Sequence, residues 1–129
     1  MQELKRIFYV EDEPDIMAVA QLVLQDVGGF ELGTACSGTE ALKKVQAFNP
    51  DLIVLDVMMP GMDGPTTLQE IRKLDGLQVT PIFFMTAKVQ PKEIEYYKEL
   101  GAIDVIPKPF DPMTLSDQIK DIWSRHYAR

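Results

Sequence analysis

Short apolar runs alternate with segments of helically spaced apolar residues along this chain. The runs at residues 7–10, 52–55, 81–85 and 105–106 lack the every-second-residue pattern of a half-exposed strand. Residues 30–35 form a weaker run of the same kind. Strands that are covered on both faces have this continuous apolar character, so we predict five buried strands.

The segments between the runs carry helix start and stop signals. Ser37 and Glu40 have the spacing of a capping box, and Asp111 before Pro112 is typical of the start of a last helix. The third helix is expected to close at Gly76. The positions predicted to face the core are Ile16, Val19, Ala20, Val23 and Val27; Ala41, Leu42, Val45 and Phe48; Leu68, Ile71 and Leu74; and Leu115, Ile119, Ile122 and Trp123.

Five strands alternating with five helices predict an α/β protein. The expected architecture is a parallel sheet with helices on both faces, folded as one domain over residues 1–129. Right-handed crossovers bring the carboxyl ends of all the strands to one edge. Ligands of such sheets bind outside that edge, where the strand order reverses. The residues that directly follow each apolar run are therefore the candidates for chemistry.

Composition narrows the classes of function. The formal net charge of −7 argues against a nucleic-acid surface and indicates either a solvated acidic face or carboxylates gathered around a cation. Cys36 is the only cysteine, so an internal disulfide is excluded, which fits a reducing compartment. We expect its side chain to be buried as a small hydrophobic group. No apolar stretch is long enough to span a membrane, and the first run is too short for a signal peptide. We expect a cytoplasmic protein without membrane insertion.

Polar residues that bear chemistry follow four of the predicted strands. Glu11 and Asp12 come after the first, Asp56 ends the third, Thr86 ends the fourth and Lys108 follows the fifth. Three carboxylates in one small site repel one another, and a divalent cation removes that repulsion. Oxygen ligands with open positions for water and phosphate suit Mg²⁺. A carboxylate there can act as a nucleophile and form an acyl phosphate, with the lysine and hydroxyl holding the phosphoryl oxygens.

At these residues the sequence resembles the receiver domain of two-component response regulators. The segments that carry the resemblance are VEDE at 10–13, LIVLDVMMPGMDG at 52–64, MTA at 85–87 and KPF at 108–110. They occur in the family's order and spacing over essentially the whole chain. The resemblance implies a flavodoxin-like (βα)5 fold, a doubly wound five-stranded sheet of order 2-1-3-4-5, in a regulatory protein that is not an enzyme and that promotes its own phosphorylation and dephosphorylation.

The resemblance also implies roles for the residues at the metal. Asp56 is expected to be the phosphoacceptor, and Asp12 is expected to bind Mg²⁺ directly. Glu11 would assist through water, and the backbone carbonyl of Met58 would be a further ligand. Met58, Met59 and Met62 themselves are expected to pack in the loop, since no histidine or cysteine accompanies them.

Other roles follow from the same resemblance. Thr86 would turn inward to the phosphoryl group, Lys108 would pair with it, and Lys108–Pro109 would be a cis peptide.

One position departs from the family's pattern. Receivers usually carry Tyr, Phe or His three positions before the lysine, where this chain has Val105. Valine is short and stiff and cannot exchange an exposed ring for a buried one.

The implied partners are a sensor histidine kinase or a histidine phosphotransfer protein, and a downstream protein target, without direct contact to nucleic acid.

The main alternative function keeps the fold as an interaction module whose surface binds its partner whether or not Asp56 is modified. Val105 motivates this alternative. A flavodoxin-like cofactor binder is disfavoured because the acids after the first strand would repel phosphate. A haloacid dehalogenase-type phosphatase is disfavoured because Met58 stands where its second acid belongs.

Three of these residues also have plain structural interpretations. Glu11 and its acidic neighbours suit a helix N-terminus. Thr86 can cap the turn that follows it, and Lys108 between two prolines can be a solvated turn residue. Asp56 is harder to explain in this way, because an acid that closes a fully apolar strand needs a partner. His126 is expected to be an exposed residue of the last helix.

Overall fold

A single parallel sheet organises the protein in the computed structural model, which describes residues 3–127. Its strand order is β2-β1-β3-β4-β5, and every neighbouring pair is parallel. The predicted five-stranded sheet and its order are thereby confirmed. The strands are β1 Arg6–Val10, β2 Glu31–Ala35, β3 Leu52–Asp56, β4 Ile82–Thr86 and β5 Asp104–Pro107.

Five helices connect and cover the strands. Two of them begin at a residue whose side chain caps the helix: Ser37 accepts from the Glu40 amide, and Asp63 accepts from the Thr66 amide. At the start of α4, the Gln90 backbone amide donates to the Glu93 carboxylate at 3.2 Å. The helices are α1 Pro14–Leu22, α2 Gly38–Phe48, α3 Gly64–Ile71, α4 Pro91–Leu100 and α5 Leu115–Tyr127, with a π-helical segment Val23–Val27 after α1.

The sheet separates two apolar clusters, one on each face. The cluster under α1 and α5 includes Tyr9, Val54 and Trp123, and the cluster on the opposite face includes Ile53 and Leu55. Successive residues of β3 thus enter opposite clusters, as expected for a strand covered on both sides. All five residues of β3 are buried, so the strand ends with Asp56 already out of contact with bulk water.

The π-helical segment changes which residues of the first helix face the core. The Val23 carbonyl accepts from the Gly28 amide at 2.8 Å and from Ser116 Oγ at 2.9 Å. One wide turn shifts the phase of the helix. Leu24 becomes fully buried, whereas Val27 is 69% exposed. The expectation that Val27 faces the core is wrong for this reason. Val19 is also exposed, at 38%, but it lies before the π turn, which does not explain its position.

Other local predictions also need correction. Helix α5 begins at Leu115 instead of Pro112, because Asp111 starts a separate turn in which its carboxylate accepts from the Met113 amide at 2.9 Å. Helix α3 ends at Ile71, ahead of Gly76. Cys36 is exposed, since it lies just past the edge strand β2.

The predicted capping box at the start of α2 is only partly formed. Ser37 Oγ accepts from the Glu40 amide at 3.0 Å, as the spacing predicts. The Glu40 carboxylate accepts from the Cys36 amide at 2.5 Å, one residue before the expected partner. Glu40 thus caps the loop that enters the helix.

Candidate functional site

Three carboxylates meet at the carboxyl edge of the sheet. Glu11 is the first residue after β1, Asp12 follows it, and Asp56 is the last residue of β3. One oxygen from each lies within 4.8 Å of the others. Glu11 is 1% exposed and Asp56 is 2% exposed, while Asp12 is half-buried. The three acids that the sequence placed together are therefore adjacent, and two of them are almost fully withdrawn from water.

Lys108 bridges the two buried carboxylates. Its Nζ lies 2.9 Å from Glu11 Oε1 and 3.3 Å from Asp56 Oδ2. The second oxygen of Glu11 accepts from the Glu13 amide at 3.1 Å. Lys108 follows β5, so residues from three strand ends share one charge cluster. The ammonium group compensates only one of the negative charges gathered there.

Burial and charge together perturb the ionisation of Asp56. The pKa of its carboxyl is raised to about 7, chiefly by burial and also by repulsion from Glu11. Lys108 acts in the opposite direction and lowers the pKa of Asp56. The Asp56 carboxylate is thus an unstable anion in the absence of a further cation.

The two oxygens of Asp56 have different surroundings. Oδ1 accepts a long hydrogen bond of 3.4 Å from the Met58 amide. Within residues 3–127, Oδ2 is the one buried side-chain nitrogen or oxygen without a hydrogen bond, although Lys108 lies near it. A buried acceptor of this kind is costly unless something binds it. The orphaned oxygen beside two further carboxylates fits Mg²⁺, which prefers oxygen ligands and keeps positions open.

A cavity of about 290 Å³ opens beside Asp56 and joins the candidate residues. Thr86 lies on its wall, and its Oγ1 accepts from the Lys88 amide at 3.1 Å. The structural interpretation of Thr86 as a residue that caps the following turn is therefore correct, and the same side chain also lies at the cavity. The lining consists of Ile16, Asp56, Met58, Thr86, Ala87, Lys108 and Pro109.

The remaining predictions near the site have mixed outcomes. Lys108–Pro109 is a cis peptide, as predicted. Met58 is 62% exposed, so the expectation that its side chain packs in the loop is wrong, whereas Met59 is buried. Val105 is buried opposite Phe84 on β4, in the apolar cluster beneath α4. His126 is exposed as expected, but it also lies 3.6 Å from Asp104.

Sequence reasoning missed one polar group beneath the site. Tyr9 is fully buried in β1, and its hydroxyl donates to Met85 Sδ at 3.0 Å. Burial raises the pKa of this phenol, and the nearby charges of Glu11 and Asp56 raise it further. A tyrosine inside an otherwise apolar strand was the available signal, because a buried hydroxyl needs a partner.

The chain belongs to the response regulator receiver domain family, whose sequence model matches residues 7–120. It is 39% identical over 121 residues to the alkaline phosphatase synthesis transcriptional regulatory protein PhoP of Bacillus subtilis, covering 94% of this chain and 49% of that protein. It is 32% identical over 128 residues to the response regulator Rre1 of Synechocystis, covering 99% of this chain and 55% of that protein. The chain thus spans about half the length of these curated relatives.

Solved structures agree with this assignment. Chemotaxis response regulator CheY4 of Vibrio cholerae superposes with a TM-score of 0.84 at 32% identity, covering 93% of this chain and 99% of that chain. A response regulator from Desulfuromonas acetoxidans gives a TM-score of 0.81 at 25% identity, covering 95% of this chain and 99% of the other. The predicted flavodoxin-like receiver fold is therefore confirmed. Among the described residues, no helix has the length and apolar character needed to cross a bilayer.

Proposed function

We propose that Asp56 accepts a phosphoryl group in a Mg²⁺-dependent reaction, and that this modification switches the surface the receiver domain presents. The observation that carries the proposal is the state of the Asp56 carboxylate. It is buried, one of its oxygens lacks a hydrogen bond, and it opens onto a cavity next to a lysine. A structural acid at this position would be expected to have its acceptors satisfied.

The metal ligands follow from the same cluster. Asp12 and Asp56 would hold Mg²⁺ directly, Glu11 would contribute through water, and the carbonyl of Met58 would complete the protein ligands. Bound there, Mg²⁺ supplies positive charge that neutralises the carboxylates and the developing charge of the phosphoryl oxygens. The three acids are close enough to share one ion, and their mutual repulsion favours its binding.

In the reaction, one carboxylate oxygen of Asp56 attacks the phosphorus atom of a phosphohistidine donor. A phosphorus–oxygen bond forms, the phosphorus–nitrogen bond breaks, and its electron pair stays on the imidazole nitrogen, which takes up a proton. Lys108 lies 3.3 Å from Asp56 Oδ2 and would pair with the phosphoryl oxygens. The Thr86 hydroxyl would donate a hydrogen bond to another phosphoryl oxygen. Positioning and charge stabilisation supply the catalysis, as in other phosphoryl transfers.

The partner classes follow from this chemistry. We infer that a sensor histidine kinase or a histidine phosphotransfer protein supplies the phosphoryl group, and that a protein target reads the modified surface in the cytoplasm. The net charge of −7 disfavours direct binding of this chain to DNA. The domain is inferred to occupy residues 1–129, around the family match at 7–120.

The proposal is tested by incubating the protein with acetyl phosphate and recording its intact mass. With Mg²⁺ we expect a single phosphoryl adduct, formed as the phosphorus–oxygen bond of acetyl phosphate breaks and acetate leaves. Chelation of Mg²⁺ or the variant Asp56→Asn should abolish the adduct, while Asp63→Asn, which alters only a helix cap, should retain it. An adduct on Asp56→Asn would contradict the proposal. Equal partner affinity with and without the adduct would favour the constitutive interaction module.

A further inference from the structure

Helix α4 contacts the sheet through one buried side chain, Tyr97, and two partly buried ones, Ile94 and Leu100. Of its ten residues, all described, only Tyr97 is buried, with 6% of its surface exposed. Helix α3 is two residues shorter and yet buries Gly64, Thr67, Leu68 and Ile71. The position of α4 over the sheet therefore depends on how the Tyr97 ring packs, more than the position of α3 depends on any one residue.

The Tyr97 ring packs on the pair of residues that joins β4 to β5. Its ring meets that of Phe84 edge to face, with centroids 5.4 Å apart and planes at 90°. Phe84 is the register partner of Val105, and all three side chains lie in the same apolar cluster. Because Val105 has no ring, the aromatic ring that packs over Phe84 on this side of the sheet belongs to α4 and not to β5.

The same strand connects this ring pair to the phosphoacceptor cavity. Thr86 is two residues after Phe84, so the two side chains leave the same face of β4. Thr86 Oγ1 accepts from the amide of Lys88, which lies in the loop that enters α4 at Pro91. One hydroxyl at the cavity thus restrains the start of α4, while Tyr97 holds its body.

We propose that Tyr97 is the residue through which the phosphoacceptor site controls α4. This inference rests on the proposed phosphorylation of Asp56. When Thr86 turns to donate to a phosphoryl oxygen, its bond to the Lys88 amide is lost and the loop is released. The Tyr97 ring then shifts over Phe84, and α4 loosens from the sheet, because its other apolar contacts, Ile94 and Leu100, are only partly buried.

Hydrogen exchange and intact mass, read from the same acetyl phosphate sample, test this coupling. The wild-type adduct should exchange amide hydrogens of residues 87–100 about fivefold or more faster than the unmodified protein, while α2 stays unchanged. In Tyr97→Leu, these residues should exchange fast before modification and gain less than about twofold on adduct formation. Tyr96→Leu is the matched control. The Tyr96 ring touches Tyr97 from the solvent side, with centroids 5.9 Å apart, but it is 55% exposed and outside the buried cluster, so this variant should behave as wild type.

The outcomes separate the coupling from the phosphorylation itself. A wild-type adduct without faster exchange at residues 87–100 would overturn the inference and leave the phosphorylation intact. So would a Tyr97→Leu adduct that responds as fully as wild type. Absence of any adduct on the wild type would overturn the proposed function and this inference together. If Tyr97→Leu does not fold, Phe84→Leu removes the other ring and is expected to give the same loss of response.

Discussion

Lys108 donates a hydrogen bond of 2.9 Å to Glu11, and the same ammonium group lies 3.3 Å from Asp56. The lysine that is proposed to meet a phosphoryl group thus lies between two carboxylates. Mg²⁺ and Lys108 both compensate these charges, so binding of the ion releases the lysine from part of that role. This relationship makes the contribution of Lys108 to stability dependent on the metal.

Lys108→Gln should therefore destabilise the metal-free protein more than the Mg²⁺-saturated protein. In chelator at pH 8, the free energy of unfolding should fall by about 1–3 kcal/mol, because two buried carboxylates lose their counter-charge. Urea denaturation with and without Mg²⁺ measures the difference. Lys88→Gln, which removes an exposed lysine, serves as the control. An equal loss for Lys108→Gln in both conditions would show that the ion does not share this site.

Asp56 should make the metal-free protein less stable as the pH rises. Its pKa is raised from 3.8 to about 7 in the folded protein, so the folded state keeps a proton that the unfolded state gives up. The contribution of this bound proton to the free energy of unfolding is fully present below about pH 4 and is lost as the pH rises through about 7. Asp56→Asn should thus be more stable than wild type by about 1–3 kcal/mol at pH 8 in chelator.

The pH series is what distinguishes this effect from a general effect of the substitution. The stability difference between Asp56→Asn and wild type should shrink towards zero below about pH 4 in urea denaturation. Saturating Mg²⁺ should reverse the order at pH 8, since only the wild type retains the full set of ligands. A difference that stays constant from pH 4 to pH 8 would contradict the raised pKa of Asp56.

Asp12→Asn should weaken Mg²⁺ binding by about tenfold or more, since even groups behind the ligands are worth 10–100-fold in other sites. Isothermal titration calorimetry gives the dissociation constant directly. Asp15→Asn is a matched control that removes the same charge from an exposed position in the first turn of α1. Similar affinities for the two variants would mean that Asp12 contributes only long-range charge and is not a ligand.

Gly28→Ala should destabilise the fold where α5 packs on the π-helical segment. A Cβ at this position would lie 2.7 Å from Ser116 Oγ and 2.9 Å from the Leu24 carbonyl. Overpacking of this kind costs about 1–3 kcal/mol in the free energy of unfolding. Ser124→Ala, an exposed change on the same helix α5, should cost little in the same denaturation experiment. Wild-type stability of Gly28→Ala would mean that this contact is not tight in solution.

The elements that could be predicted were those with a strong local signal. Continuous apolar runs such as the one that ends at Asp56 form buried strands in any context that covers both faces. Which residues of the first helix face the core could not be predicted in full. Val27 follows the helical period in the sequence, but one π turn places it in solvent. That turn is stabilised by Ser116, which is distant in sequence, so no local sequence pattern predicts it.

The candidate site shows the same division. A parallel sheet with right-handed crossovers was enough to predict that Glu11, Asp12 and Asp56 lie at one edge. The pairing of Lys108 with Glu11 was not predicted, because it depends on side-chain conformations chosen by the local charges. The hydrogen bond from the Lys88 amide to Thr86 Oγ1 was foreseen only as one of two alternatives.

The most direct test of the central claim is to locate the phosphoryl group on the chain. The protein is treated with acetyl phosphate and Mg²⁺ and then with borohydride, which reduces an acyl phosphate to an alcohol and so converts a phosphorylated aspartate to homoserine. Peptide mass spectrometry should find homoserine at residue 56, and only when Mg²⁺ was present. Homoserine at residue 12 with an unmodified Asp56, or modification that is independent of Mg²⁺, would contradict the assignment of Asp56 as the phosphoacceptor.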